Sequence, residues 1–240
     1  RLWKIMNPTL FFWGGDIYDF TSPSSYLKNP NQLLTLQEDL DHGFEKMMEV
    51  RRMFPNSRWY MKEGNHEQRL KKFLFSRAAE LSPLRCLKLE NLLRMDELEA
   101  DFIPNEEIFK IGELRFAHGN EERVGSVFPS RNLYMRLGCN LVVGHFHREG
   151  HYHNRTVDGK VHGVWVNSCL QNLKVSYAFH TQWTQGFTLI NFTKNGLFHV
   201  EPITYFRQTG QVCYVHQGKL MVERYKADEL PVPILEHKLV

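Results

Sequence analysis

Apolar residues arrive along this chain in short runs that stop at glycine. Leu10, Phe11, Phe12 and Trp13 are consecutive and give way to Gly14 and Gly15, the pattern of a buried strand leaving into a tight loop. Asp16 therefore stands at a strand exit. Residues 58–61 predict a second strand running out into Gly64-Asn65-His66. Leu114–Ala117 predicts a third, followed by His118-Gly119-Asn120, and 141–143 a fourth, followed by Gly144-His145-Phe146-His147. Four strands thus deliver polar residues just past their C-terminal ends, where open α/β sheets place ligands.

Between them the period changes. Thr35 and Glu38 have capping-box spacing, and Leu36, Leu40, Phe44, Met47 and Met48 recur at helical intervals before Pro55, so an amphipathic helix is expected there. Residues 67–80 are helix-prone and closed by Pro83, 131–137 read as a helix, and 84–104 as a leucine-rich insertion of mixed helix and loop. The later chain is strand-rich: 161–169, 187–192 and 197–205, with Lys194-Asn195-Gly196 as a hairpin turn. A last hairpin is predicted over 211–215 and 219–225 across Gln217-Gly218, and 226–240 reads as a tail.

At 240 residues and 42% hydrophobic content the chain can bury a sizeable core, and no stretch approaches the roughly 18 apolar residues of a membrane span. No membrane partner is expected. Cys86, Cys139, Cys169 and Cys213 lack the paired spacing of a zinc knuckle or redox dithiol, which reads as reduced thiols and a cytoplasmic or intracellular protein. A formal charge of +3 is compatible with an anionic substrate without requiring one. Locally, Arg69, Lys71, Lys72, Arg77, Arg85 and Lys88 stand against the lone Glu80, either as a phosphate-facing patch or as a solvated helix face.

Asp16, Asn65, His66, His118, His145 and His147 differ from scattered polar residues because each follows a predicted strand and several are bracketed by glycine. Carboxylate and imidazole donors suit a hydrolytic metal such as Mn, Fe or Zn. Glycines let the backbone approach closely enough to place short side chains on an ion.

The segments Gly15-Asp16-Ile17-Tyr18-Asp19, Gly64-Asn65-His66-Glu67, His118-Gly119 and Gly144-His145-Phe146-His147 resemble four of the five ordered motifs of the calcineurin-like metallophosphoesterase superfamily. The run from Gly64 through the leucine-rich segment is similar to phage and bacterial members near DNA-repair exonucleases. The resemblance implies an α/β fold, a four-layer α/β/β/α sandwich of two mixed sheets flanked by helices. It implies one domain over 1–205, lacking its first strand, with 206–240 as a hairpin and tail extension of it. It further implies two divalent transition metals, Mn foremost, with Asp16 bridging them, Asn65, His118 and His145 on one ion and His147 on the other. His66 would be catalytic with Asp16, contacting the phosphate and either stabilising developing charge or protonating the leaving oxygen. Asp19 is expected to give structural support, Glu67 to accept a hydrogen bond from a site histidine, and Arg69, Tyr134, Arg148 and Tyr152 to line the substrate pocket.

One departure matters: the family's opening Asp-x-His motif has no counterpart before Leu10, and Asp41-His42 lies in a helix with the wrong spacing. Truncation upstream of a two-metal enzyme, or a one-metal site, are the two explanations. The implied activity is hydrolysis of a phosphoester by a hydroxide activated between two ions, with a phosphodiester such as nucleic acid or a nucleotide as substrate. The alternatives are a phosphomonoesterase or protein phosphatase, and an inactive metal-binding scaffold.

Overall fold

The computed structural model describes residues 6–26, 28, 34–121, 127–173, 181–208 and 210–224. The tail at 226–240 and the last residue of the 219–225 strand lie outside the described residues. Strand β1, Leu10–Trp13, alternates as a strand must. Phe11 and Trp13 pack toward the helices, and Phe12 packs toward the opposite sheet. Helix α1, Leu36–Met53, opens on the expected capping box: Thr35 accepts from the Glu38 amide and the Glu38 carboxylate accepts from the Thr35 amide. Leu40, Phe44 and Met47 form its buried face, while Asp41 and His42 are exposed.

Strand β2, Arg58–Lys62, pairs parallel with β1 and buries Trp59 and Met61 beneath α1. Helix α2, Gln68–Arg77, adds Leu70 and Leu74 to that cluster. The leucine-rich insertion holds more order than its composition suggests. Two short helices, α3 (Leu89–Leu92) and α4 (Met95–Leu98), lead into β3, Ala100–Ile103, which pairs parallel with β2. A four-residue strand containing Asp101 has little periodicity of its own. Its neighbour β2 supplies the pairing that makes it a strand.

A five-stranded mixed sheet follows, in the order β4-β5-β6-β8-β7. Its members are β4 (Phe109–Ile111), β5 (Leu114–Ala117), β6 (Asn140–Val143), β7 (Gly150–Arg155) and β8 (Val161–Val166). Helix α5, Pro129–Leu137, covers its outer face, setting Leu133 and Tyr134 on Leu141, Val143, Val164 and Val166. Strands β9 (Gln185–Phe192), β10 (Phe198–Gln208), β11 (Gln211–His216) and β12 (Lys219–Arg224) form an antiparallel sheet. The last hairpin joins it through β10, with Phe206 opposite Cys213.

Phe12 of β1 and Ile190, Phe198 and Val200 of β9 and β10 meet Leu114, Phe116, Val142 and Trp165 in one cluster. One β layer is therefore the five-stranded sheet, and the facing layer is built from the β1–β3 and β9–β12 sheets. With α1 and α2 outside one and α5 outside the other, the fold is an α/β/β/α sandwich. No helix among the described residues is long and apolar enough to cross a membrane. None of the cysteines forms a disulfide.

Candidate metal centre

The loops leaving β1, β2, β5 and β6 converge on one point between the two β layers. The β1 loop needs Gly15. Gly15 has φ +92°, and a Cβ there would sit 2.6 Å from His118 Nδ1 and 2.8 Å from Gly64 Cα. Gly64 is equally confined, since a Cβ would meet Glu67 Oε2 at 2.8 Å and the amide and Oδ1 of Asp16 closer still. Three non-glycine residues here also occupy the left-handed region: Asp16 at φ 56°, His145 at 61° and His147 at 59°. Such conformations are uncommon for side-chain-bearing residues and persist where surrounding contacts hold them. Replacing Gly64 with alanine is expected to cost about 1–3 kcal/mol through overpacking and to displace Asp16. Denaturant unfolding alongside metal titration of the variant would show both losses together.

His118 is the hinge of the cluster. Its ring is 1% exposed, with Nδ1 2.7 Å from the Gly14 carbonyl oxygen. A carbonyl only accepts, so Nδ1 carries the proton and donates. Nε2 then lies 3.0 Å from Asn65 Oδ1 and 3.2 Å from Asp16 Oδ2. With the Asn65 oxygen turned inward, the neutral ring leaves a lone pair, a carboxylate and an amide oxygen facing one another, an arrangement that a shared cation, an extra proton or a turned Asn65 amide relieves. Burial works against charge on both Asp16 and His118. Their mutual hydrogen bond and attraction outweigh it, holding the Asp16 carboxyl well below the usual carboxylate range and raising His118.

His145 completes a group in which one donor atom from each of Asp16, His118 and His145 lies within 4.8 Å of the others. Its ring meets His118 edge-on at 5.1 Å between centroids, and its Nδ1 is buried without a hydrogen-bond partner. Burial first, then the neighbouring His118 charge, lowers His145 to about 4. A neutral imidazole with an unused buried nitrogen is the form that ligates metals. The donor set therefore fits a divalent ion, and the Gly14 carbonyl behind His118 is the orienting contact that metal-binding histidines generally have.

Other predicted residues stand around this group. Asn65 touches it through His118. His147 lies outside the group of three, with Gln171 Nε2 3.1 Å from its Nδ1 and Trp183 against its ring at 4.7 Å; burial lowers its pKa. His66 donates its amide to Asp16 Oδ1 at 2.9 Å. Its ring sits between Asp19 Oδ1, 3.0 Å from Nδ1, and Arg69 Nη2, 2.9 Å from Nε2. Arg69 also donates to the Asp19 carbonyl at 2.6 Å.

Glu67 departs from its expected partner. Its carboxylate accepts four backbone amides, those of Asp16, Ile17, Tyr18 and Gly64, because the β1 and β2 loops aim their N–H groups at it. Tyr134 and Tyr152 pack on each other at 5.4 Å within the core beneath α5. Arg148 donates to Gln182 and to the Val127 carbonyl. Sequence reasoning missed Glu121, whose two oxygens accept the amides of His118 at 2.8 Å and Gly119 at 2.5 Å. Its signal was an acid closely following a strand-exit histidine, as Glu67 follows His66. Gln171 and the Gly14 carbonyl had no signal of that kind.

No protein-family model matches the chain. It is similar to the Gene 54 protein of Mycobacterium phage L5, 27% identical over 202 residues covering 78% of this chain and 77% of the relative. It is also similar to the Gene 54 protein of Mycobacterium phage D29, 26% identical over 202 residues with the same coverage.

Proposed function

We propose that this chain is a divalent-metal-dependent phosphoesterase of the calcineurin-like type, acting on phosphodiesters. The observation that carries the proposal is the convergence of Asp16 and Asn65 on His118 Nε2, with a ring nitrogen of His145 in the same group of donors within 4.8 Å of one another. Their supply from four successive strand exits supports it, as does the resemblance of the loop sequences.

In this reading Asp16, Asn65, His118 and His145 hold one ion. His147 would serve a second ion. Mn is the first choice, with Fe and Zn the alternatives. A bound ion would supply Lewis acidity to a phosphoryl oxygen and acidify a water molecule. The chain's own residues do the positioning. Asp19 accepts the His66 Nδ1 proton, which fixes the ring with Nε2 and the Arg69 guanidinium side by side. Nε2 accepts from Arg69 Nη2, so the cationic donor face toward phosphoryl oxygens is that of the guanidinium, which the ring holds in place. Lys72 and Arg77 on α2 and Arg85 and Lys88 in the segment after it are exposed cations, which suits a nucleotide or nucleic acid.

The test is metal content of the purified protein, followed by hydrolysis of bis(p-nitrophenyl) phosphate and p-nitrophenyl phosphate with and without added Mn²⁺. The expected result is Mn-dependent turnover that favours the diester, is lost in chelator, and is lost again in His118→Ala. Faster turnover of the monoester would reassign the substrate class. Absence of ion uptake by the folded protein would overturn the proposal.

A further inference from the structure

Lys62, the last residue of β2, is 0% exposed. Its ammonium lies 2.7 Å from each of the Pro104, Asn105 and Glu107 carbonyl oxygens. A neutral amine has only two N–H bonds, so three carbonyl acceptors at that distance require the charged form. A buried charge needs an opposite one, and Glu121 Oε1 stands 3.3 Å from Nζ. That same Glu121 carboxylate closes the amides of His118 and Gly119. Asn105 reinforces the junction, donating its side-chain amide to Asn120 Oδ1 at 2.9 Å.

The placement is what gives this network a task. The candidate centre draws Asp16 and Asn65 from the β1–β3 sheet and His118 and His145 from the five-stranded sheet. The two halves of the donor set therefore sit on different layers, and small shifts between layers would separate them. Lys62 is rooted in the first layer, two residues before Gly64. It reaches the loop after β3 by its carbonyl contacts and the loop after β5 by Glu121.

We propose that Lys62 is a positioning residue for the metal centre, holding His118 in register with Asp16 and Asn65 through the Glu121 carboxylate. The proposal rests on the metal-site reading above. Lys62 does not itself meet the ion or a substrate; it acts by fixing the backbone that carries His118.

Lys62→Met matches the stem of the side chain as far as Cε and removes the ammonium with its charge. Glu121→Gln removes the charge on the other side and leaves the Lys62 carbonyl contacts in place, so it serves if the first variant does not fold. The expected result is an affinity for Co²⁺ weakened about 10- to 100-fold, the range seen when outer partners of metal ligands are removed, together with an altered visible spectrum of the bound Co²⁺. Ile203→Ala, a cavity in the β9–β12 sheet among Tyr214, Leu189 and Met221, should lower thermal stability while leaving the Co²⁺ spectrum unchanged, which separates positioning from general destabilisation. The double variant Lys62→Met/Glu121→Gln should lose little more affinity than either single one.

Amide hydrogen exchange of the metal-free protein gives an independent readout: the peptide containing His118 and Gly119 should exchange faster in the variants. If the wild type takes up no Co²⁺ the metal reading fails, while exchange still decides whether Lys62 controls the His118 loop. Variants with wild-type Co²⁺ affinity and spectrum, or with unchanged exchange at His118 and Gly119, overturn the proposal.

Discussion

Replacing Asp16 with asparagine is expected to weaken divalent-ion binding by on the order of 100-fold or more and to abolish metal-dependent turnover, without unfolding the protein. The substitution is cleaner than it would be at most carboxylates. Asp16 is in the left-handed region at φ 56°, where asparagine is one of the few side-chain-bearing residues readily accommodated. The amide oxygen can still accept the His66 amide in place of Oδ1, a contact of 2.9 Å. What changes is the charge facing His118 Nε2, now replaced by a neutral group able to donate a hydrogen bond to that nitrogen. A donor there occupies the lone pair on which the ion depends. Calorimetric titration with Mn²⁺ against circular dichroism on the same sample checks the claim. Unchanged affinity in the variant would mean that the cluster does not hold the ion.

The same residue shows how far sequence reasoning reaches. Asp16, His118 and His145 were legible as candidates because each follows an apolar run that ends at or beside glycine, and apolar runs mark buried strands wherever they occur. The sandwich was legible through the family-like motifs together with that repetition. The elements missed are those whose residues carry no pattern by themselves. Strand β7 reads Gly-His-Tyr-His-Asn-Arg, with a single strongly apolar side chain, and becomes a strand by antiparallel pairing with β8 from Gly150↔Val166 to Arg155↔Val161.

That pairing also decides the fate of Tyr152, whose alternation turns it toward α5 and Tyr134. An aromatic residue near a motif in sequence can belong to the core once its strand parity is known. The Gly14 carbonyl that fixes the His118 tautomer is invisible for a different reason. Every residue has a carbonyl, and only the fold selects which one points at the ring.

Glu67→Ala should be the most destabilising single change in the site, with an expected loss on the order of 4 kcal/mol. The side chain is 0% exposed, and its Oε2 accepts the amides of Asp16 and Gly64, both at 2.9 Å. Oε1 accepts those of Ile17 at 2.8 Å and Tyr18 at 3.1 Å. Burial raises the Glu67 carboxyl, with the Asp16 charge adding to it, and the ring of amides opposes both. This is an anion held in a backbone nest. Alanine would leave four buried N–H groups without acceptors, each costing about 1–3 kcal/mol, although local rearrangement and water entry recover part of that total. Glutamine makes the sharper comparison, because it keeps one acceptor oxygen and turns an NH₂ group toward two backbone donors. It should therefore lose stability despite its matched shape, and lose metal affinity as the β1 loop releases Asp16 from its left-handed conformation. Denaturant midpoints measured in chelator, with the slope m held constant to show that the unfolding transition is the same, would quantify the first effect. Mn²⁺ titration would quantify the second. A Glu67→Gln protein as stable as wild type would mean that the amides, and not the charge they surround, hold the two loops together.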